Sequence, residues 1–500
     1  MSTAKKFAGQ TAIYGLSTIA GRVLSFFLTP VYTRAYSAKV YGIFGNLYSY
    51  ASMLNALLAF GMETTFFRYL NKKPESKQLV YNNTFGAILC ISGLFFLLTF
   101  PFANFITGFL RIDSSTPFAE YVLYTKYFIG ILIVDALCVI PFAKIRADGR
   151  PGRYSLVKFL NVVIFVSLNL FFIYGLPFYI KHNLPGTVWV NSWYIKGWLG
   201  YVFMSNLITS VITLLMLMPE FMKLRPNFSK ALFMEMLVYS WPVLVANFSY
   251  LINENLDKIL LGKLLPVNES ATQVGIYTAC AKISIFLSIF VNAFRLGAEP
   301  FFFSHAKNKN ATQTYARIMN YFVIAVCLIF VALVANIEIL KYFIKGKNAA
   351  QAAIYWSGIN VIPVLLFGYV SLGIYMNLSV WYKLTDQTKY GLYISGAGAL
   401  VTIVLNVIFI PHYGYIASAW ISLIAYSSMM VLSYIWGQKN YPIPYNIKKN
   451  SAYIIISVVL VYLSFSIFKR NIFIGNGLLI LFGLGALYSE RVELRALLKR

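Results

Sequence analysis

About fourteen stretches of predominantly apolar residues, each near twenty residues or longer, follow one another along this chain, and few folds can absorb that pattern. An apolar helix of ~20 residues crosses the ~30 Å hydrocarbon core of a bilayer. It also satisfies its own backbone hydrogen bonds, as lipid requires. In order the stretches fall near 8–32, 41–67, 79–104, 121–143, 155–180, 196–218, 233–262, 273–300, 315–337, 353–376, 390–411, 414–437, 451–468 and 471–488. The expected fold is an all-α polytopic membrane protein of about fourteen transmembrane helices. Composition agrees: 12% of residues are charged, about half the share of a soluble domain, too little polar surface for a water-soluble globule.

The formal charge of +26 does not indicate a nucleic-acid partner. Lys and Arg are scattered singly or in pairs through short connectors, and no block has the length of a nucleic-acid-binding arm. Their distribution reads instead as topology. Connectors carrying Lys72, Lys73 and Lys77, then Lys144, Arg146, Arg150 and Arg153, then Lys223, Arg225 and Lys230, and their later counterparts, share one side. With both termini that side holds about 25 Lys and Arg against about 10 opposite, which makes it cytoplasmic. Both ends inside demand an even number of spans. The lysine-containing start, Met1 to Lys6, runs into an apolar stretch without a cleavage pattern and reads as an uncleaved first helix.

Cys90, Cys138, Cys280 and Cys327 lie far apart in apolar stretches, and His182, His305 and His412 each stand alone, so no metal site is expected. No GxxxxGK[ST] phosphate loop occurs and no connector is long enough for a nucleotide-binding domain. No cofactor is expected.

The chain repeats itself. Gly61-Met62-Glu63-Thr64-Thr65-Phe66-Phe67 recurs as Gly297-Ala298-Glu299-Pro300-Phe301-Phe302-Phe303, an offset of 236. Gly42-Ile43-Phe44 recurs as Gly275-Ile276-Tyr277 at 233, and Arg153-Tyr154 as Lys389-Tyr390 at 236. Leu168-Asn169-Leu170-Phe171-Phe172-Ile173 recurs as Leu405-Asn406-Val407-Ile408-Phe409-Ile410 at 237. The expected organisation is two six-helix lobes, 1–230 and 231–448, followed by two extra helices and a tail in 449–500. An offset of six helices makes the repeat parallel, and transporters place substrate at such repeat interfaces. The sixth helix of the first copy slips because the preceding connector carries an insertion around His182 to Trp193.

Ionisable residues inside spans are costly and mark partners or wet cavities. Arg22, Glu63, Asp135, Lys158, Glu254, Lys258, Lys282, Arg295 and Glu299 are placed there. Thr11, Thr18, Arg22, Ser25 and Thr29 form one stripe on the first helix, and Ser240, Asn247, Glu254 and Lys258 form one on the seventh. These two helices are expected to face each other across a cavity, with Glu254 and Lys258 as an i,i+4 pair. The candidate substrate-binding cations are Arg22, Lys158, Lys258, Lys282 and Arg295. Glu63, Glu254 and Glu299 are candidates for coupling or ion pairing. A cationic membrane cavity suits an anionic substrate, because Arg and Lys recognise phosphate oxygens. Asn169 and Asn406 read as packing contacts.

The run Gly21-Arg22-Val23-Leu24-Ser25-Phe26-Phe27-Leu28-Thr29-Pro30-Val31-Tyr32-Thr33-Arg34, followed by Tyr41-Gly42-Ile43-Phe44, resembles the opening of bacterial polysaccharide-biosynthesis flippases. Asn255-Leu256-Asp257-Lys258, Val274-Gly275-Ile276-Tyr277, Ala298-Glu299-Pro300 and Arg146-Ala147-Asp148-Gly149-Arg150 extend the match. These O-antigen and exopolysaccharide exporters share a superfamily with multidrug extruders and lipid II flippases. The resemblance implies a V-shaped cavity between lobes and alternating access in a bacterial inner membrane. It implies an undecaprenyl-pyrophosphate-linked oligosaccharide as substrate, with membrane lipids, a polysaccharide polymerase and glycosyltransferases as partners.

Three other readings stand beside it. A cation-coupled drug exporter would want an acidic or aromatic cavity, and a lipid II flippase would differ in the lipid that accumulates without it. A glycan polymerase or ligase would need catalytic groups on outer connectors, which here are short and poor in Asp, Glu and His. The chain is therefore expected not to be an enzyme.

Overall fold

The computed structural model describes residues 26–72, 76–225, 227–306, 308–385 and 387–498. Helices are the regular structure throughout, with no strand among the described residues. Twelve of these helices are long and apolar enough to cross a membrane, so the chain is a multi-pass membrane protein.

Two expected spans are not among the twelve. The first, 8–32, lies mostly outside the described residues, which show its end as α1 (Leu28–Ala35). The second, expected over 41–67, is two helices, α2 (Ala38–Ala59) and α3 (Met62–Lys72). Phe60 (φ 47°) and Gly61 (φ 65°) break it in the left-handed region. The Phe60 amide donates to the Ala56 and Leu57 carbonyls as a helix terminator. A side chain at Gly61 would start 2.9 Å from the Ser240 carbonyl oxygen. Its repeat partner Gly297 instead lies inside a continuous helix.

The remaining helices are α4 (Lys77–Thr99), α5 (Ala103–Leu110), α6 (Phe118–Ala147), α7 (Pro151–Leu170), α8 (Leu176–Lys181), α9 (Thr187–Trp193), α10 (Gly200–Phe221), α11 (Lys230–Leu264), α12 (Val267–His305), α13 (Ala311–Ala335), α14 (Ala349–Trp356), α15 (Ile362–Leu378), α16 (Lys389–Tyr413), α17 (Tyr415–Asn440), α18 (Ile447–Tyr462) and α19 (Ile472–Leu498).

The described residues pack as two compact units, one ending at Gly275 and one starting at Ile276. By packing, α11 belongs to the first unit, because it lies along α2. The Asn46 amide, on α2, donates to the Lys258 carbonyl at 3.0 Å. In the same unit the starts of α2 and α12 cross with their backbones in contact. A Cβ on Gly42 would lie 1.7 Å from the Ala271 carbonyl oxygen, and one on Gly275 would lie 1.8 Å from that of Ala38. Small residues four apart on each helix permit this approach.

The two ends of the first unit carry different polar ties. At one end Lys39 pairs with Asp113 at 2.6 Å, Ser270 donates to the Ile112 carbonyl at 2.8 Å, and the Tyr36 hydroxyl reaches the Trp198 carbonyl at 3.4 Å. Asp113 is buried. Burial alone would raise its carboxyl, but the Lys39 ammonium and hydrogen bonds from Thr116 and Ser115 outweigh that and hold it well below the usual carboxylate range. At the other end buried Glu220 gathers Arg150 (2.9 Å), Arg153 (3.2 Å) and Lys223 (2.9 Å), and Lys72 pairs with Glu235 at 2.6 Å.

In the second unit α17 packs on α15 and α16, and Gly414 alone joins α16 to α17. The two C-terminal helices, α18 and α19, pack on α13. They are tied by buried Glu490, which takes Lys449 at 2.7 Å and the Tyr453 hydroxyl at 2.8 Å.

Candidate functional site

Three apolar helices of the first unit each turn one polar face to the same space. On α6 the face is Asp135, Cys138, Val139, Phe142 and Arg146; on α7 it is Tyr154, Lys158 and Asn161; on α10 it is Asn206, Ser210 and Thr213. Steps of three and four residues keep each set on one side of its helix. With Asn55 from α2 and Glu63 from α3 they enclose a cavity of about 380 Å³. That size is near the lower end of small-molecule sites, about 300–1,000 Å³.

Most polar groups of the wall hold one another. Ser210 donates to Asp135 at 2.7 Å, Asn161 to Thr213 at 2.8 Å, and Asn206 to the Tyr48 hydroxyl at 2.8 Å. Glu63 forms an ion pair with Arg146, whose guanidinium also lies 4.9 Å from the Phe67 ring centre. Lys158 differs. Its ammonium sits 4.1 Å from the centre of the Phe142 ring, yet among the described residues it has no ion pair within 4 Å and no hydrogen-bond acceptor. A half-buried ammonium without an acceptor is a ready ligand for an anionic oxygen.

The other expected site residues are placed as follows. Arg22 lies outside the described residues. Lys258 does not meet the Glu254 carboxylate: its ammonium reaches the Glu254 backbone carbonyl at 2.9 Å and Asp257 at 3.0 Å, while Glu254 accepts from the Tyr250 hydroxyl at 3.1 Å. The lysine side chain folds back one turn, where the carbonyl and the adjacent carboxylate compete successfully with Glu254. Lys282 is half-buried on α12. Arg295 and Glu299 line one cleft of the second unit together with Asn377, of only about 10 Å³, room for no more than a water.

Glu299 forms an ion pair with Lys383. Thus Glu63–Arg146 recurs as Glu299–Lys383, at offsets of 236 and 237. Asn169 and Asn406 are likewise matched. Each donates to the carbonyl four residues back, Phe165 or Thr402, and each accepts from a hydroxyl of a neighbouring helix, Tyr32 or Ser418. They are packing contacts.

Asn161, Asn206, Ser210 and Thr213 were not singled out by sequence. The signal was present in α10, where Asn206, Ser210 and Thr213 recur at i, i+4 and i+7 in an apolar stretch.

A family model described as polysaccharide biosynthesis protein matches residues 7–304, more than half of the chain and all of the cavity wall. The chain belongs to the polysaccharide biosynthesis protein family. A second model, MatE, matches residues 242–408. Among curated relatives, an uncharacterized membrane protein of Methanocaldococcus jannaschii is 24% identical over 454 residues, covering 87% of this chain and 84% of the relative. Among solved structures, the lipid II flippase MurJ in an inward closed conformation aligns with a TM-score of 0.71 at 14% identity, covering 97% of this chain and all of MurJ. An inward-facing multidrug resistance transporter of the MATE family aligns at 0.63 and 14%, covering 86% and 95%. A superfamily transporter from Pyrococcus furiosus, described by the reverse polarity of its binding pocket, aligns at 0.61 and 15%, covering 89% and 96%. At these identities the likeness is one of fold. This polysaccharide biosynthesis protein thus shares its fold with the flippase and the multidrug transporters it aligns with.

Proposed function

We propose that this chain is a flippase that turns an undecaprenyl-pyrophosphate-linked oligosaccharide from the cytoplasmic to the periplasmic face of a bacterial inner membrane by alternating access. Both termini are cytoplasmic in this reading, and the end carrying Glu220 and its three cations faces the cytoplasm, as the positive-inside rule asks. The observation that carries the proposal is Lys158, a cation without an acceptor in a cavity walled by amides and hydroxyls. The ammonium suits a phosphate oxygen or another anionic group, and Asn55, Asn161, Asn206 and Ser210 supply the hydrogen-bonding chemistry that sugar hydroxyls need. The cavity takes part of the headgroup at a time; the lipid chain stays in the bilayer.

A multidrug exporter would need unbalanced negative charge to draw an organic cation. Here Glu63 is neutralised by Arg146, and Asp135 is bound by Ser210 and faces Lys158. A wall of amides and hydroxyls around open space supports a transporter. Glycosyltransferases that build the lipid-linked unit and a polymerase that consumes it are the partners this role demands.

The test is genetic. A strain lacking the chain should accumulate a lipid-linked oligosaccharide repeat unit and lose its surface polysaccharide. Accumulation of lipid II would point to the lipid II flippase instead, and no lipid intermediate with increased sensitivity to organic cations would overturn the proposal in favour of an exporter.

A further inference from the structure

The internal repeat is interrupted at one place. In the second unit α16 passes into α17 through Gly414 alone. In the first, the matching helices α7 and α10 are separated by residues 171–199, which fold into α8, α9 and their turns. The insert is well packed on its inner side. The Phe172 and Tyr201 rings stack at 4.9 Å, Tyr194 stacks on Tyr201 at 5.3 Å, and Leu176 and Val190 are buried in the same cluster.

Its outer side exposes large apolar side chains beside polar ones such as Asn191 and Ser192. Val188 is 87% exposed, Trp189 68% and Phe178 60%. A water-facing surface rarely gathers such side chains into one patch. A stripe is also turned outward from α7 into α8: Leu156, Phe159, Val163, Ser167, Leu170, Tyr174 and Phe178 follow at steps of three and four. Only 17% of the apolar window of helix Pro151–Lys181 is buried in the protein, so this stripe faces lipid. A span needs ~20 residues, and this helix has 31; its last turns therefore reach the edge of the hydrocarbon. Tryptophan beside lysine (Trp189 and Trp193 with Lys181 and Lys196) is the composition found at that depth.

We infer that the insert 176–198 is a membrane-interface anchor, with α9 lying on the bilayer surface. Val188 and Trp189 sit at the boundary of headgroups and acyl chains, and Lys181 and Lys196 sit among the headgroup phosphates. Because α8 continues α7, this anchor fixes the depth and tilt of the helix that carries Lys158. The inference is independent of which substrate the cavity takes.

Nitroxide labels on single cysteines test it in the full-length protein, reconstituted into phosphatidylcholine–phosphatidylglycerol vesicles in a Cys90→Ser background, since the other three native cysteines are buried. Val188→Cys and Trp189→Cys report the proposed contact, Phe171→Cys the lipid-facing helix, and Asn183→Cys the exposed turn. The expected result is a shift from nickel-complex to oxygen collisions on going from position 183 to positions 188 and 189, which should match 171. Labels at 188 and 189 that collide with the aqueous nickel complex as freely as the label at 183 would overturn it, leaving that face for a soluble partner or a glycan.

Discussion

Gly42 and Gly275, 233 positions apart, meet backbone to backbone: a Cβ on Gly42 would lie 2.9 Å from the Gly275 nitrogen, and one on Gly275 would lie 3.0 Å from the Gly42 nitrogen. Ala38 and Ala271, also 233 apart, supply the carbonyls on either side. The contact is reciprocal. No rotamer change can make room, because the obstructing atoms are backbone. Gly42→Val should lower the thermal unfolding midpoint in detergent, with an overpacking cost of about 1–3 kcal/mol. Gly86→Ala, where a Cβ meets nothing within 4 Å, should leave it unchanged. Equal stability of both variants would refute the close crossing.

The duplicated ion pairs are individually weak. Side chains of Glu63 and Arg146 are 46% and 27% exposed, so screening limits the pair to about 0–1 kcal/mol. Glu63→Gln should therefore cost little stability. Combining Glu63→Lys with Arg146→Glu should recover what either reversal alone loses, measured as a thermal shift. A large loss from Glu63→Gln, unrelieved by the swap, would assign Glu63 a different role.

Acid should release the Lys39–Asp113 tie. The folded carboxyl lies below its unfolded value, so its contribution is complete above the unfolded pKa, about 3.9, and is lost as pH falls from there through the folded value. The difference in unfolding midpoint between wild type and Asp113→Asn should be largest at neutral pH and shrink below pH ~4. A difference that stays constant across that range would contradict the assignment.

Much of this was legible in sequence because membrane helices leave a plain record. The repeat could be read from Gly42 and Gly275, from Glu63 and Glu299 and from Asn169 and Asn406, since small and polar residues stand out against lipid-soluble neighbours. The partners Arg146 and Lys383 were harder to match, because basic residues abound in connectors for topological reasons and each looks like the next. The break at Phe60–Gly61 was hidden, since Met62, Phe66 and Phe67 carry the apolar stretch past it and a lone glycine does not by itself mark a helix end. Sequence placed Lys158, Asp135 and Glu63 inside spans but did not bring them together in this cavity. Its amides and hydroxyls read as helix–helix glue, and only packing separates those that hold helices together from those that line space. For Glu254 and Lys258, helical spacing named a pair that the adjacent Asp257 prevents.

Purified protein in vesicles loaded on one leaflet with undecaprenyl-pyrophosphate-linked oligosaccharide gives the most direct test of the central claim, read as the rate at which the glycan reaches a membrane-impermeant glycosidase on the far side. The account predicts protein-dependent transfer that falls at least about tenfold in Lys158→Met, the loss of one charge-assisted contact of about 1.5–3 kcal/mol, and is largely retained in Lys158→Arg. Transfer no faster than in protein-free vesicles, or a Lys158→Met variant as fast as wild type, would contradict it.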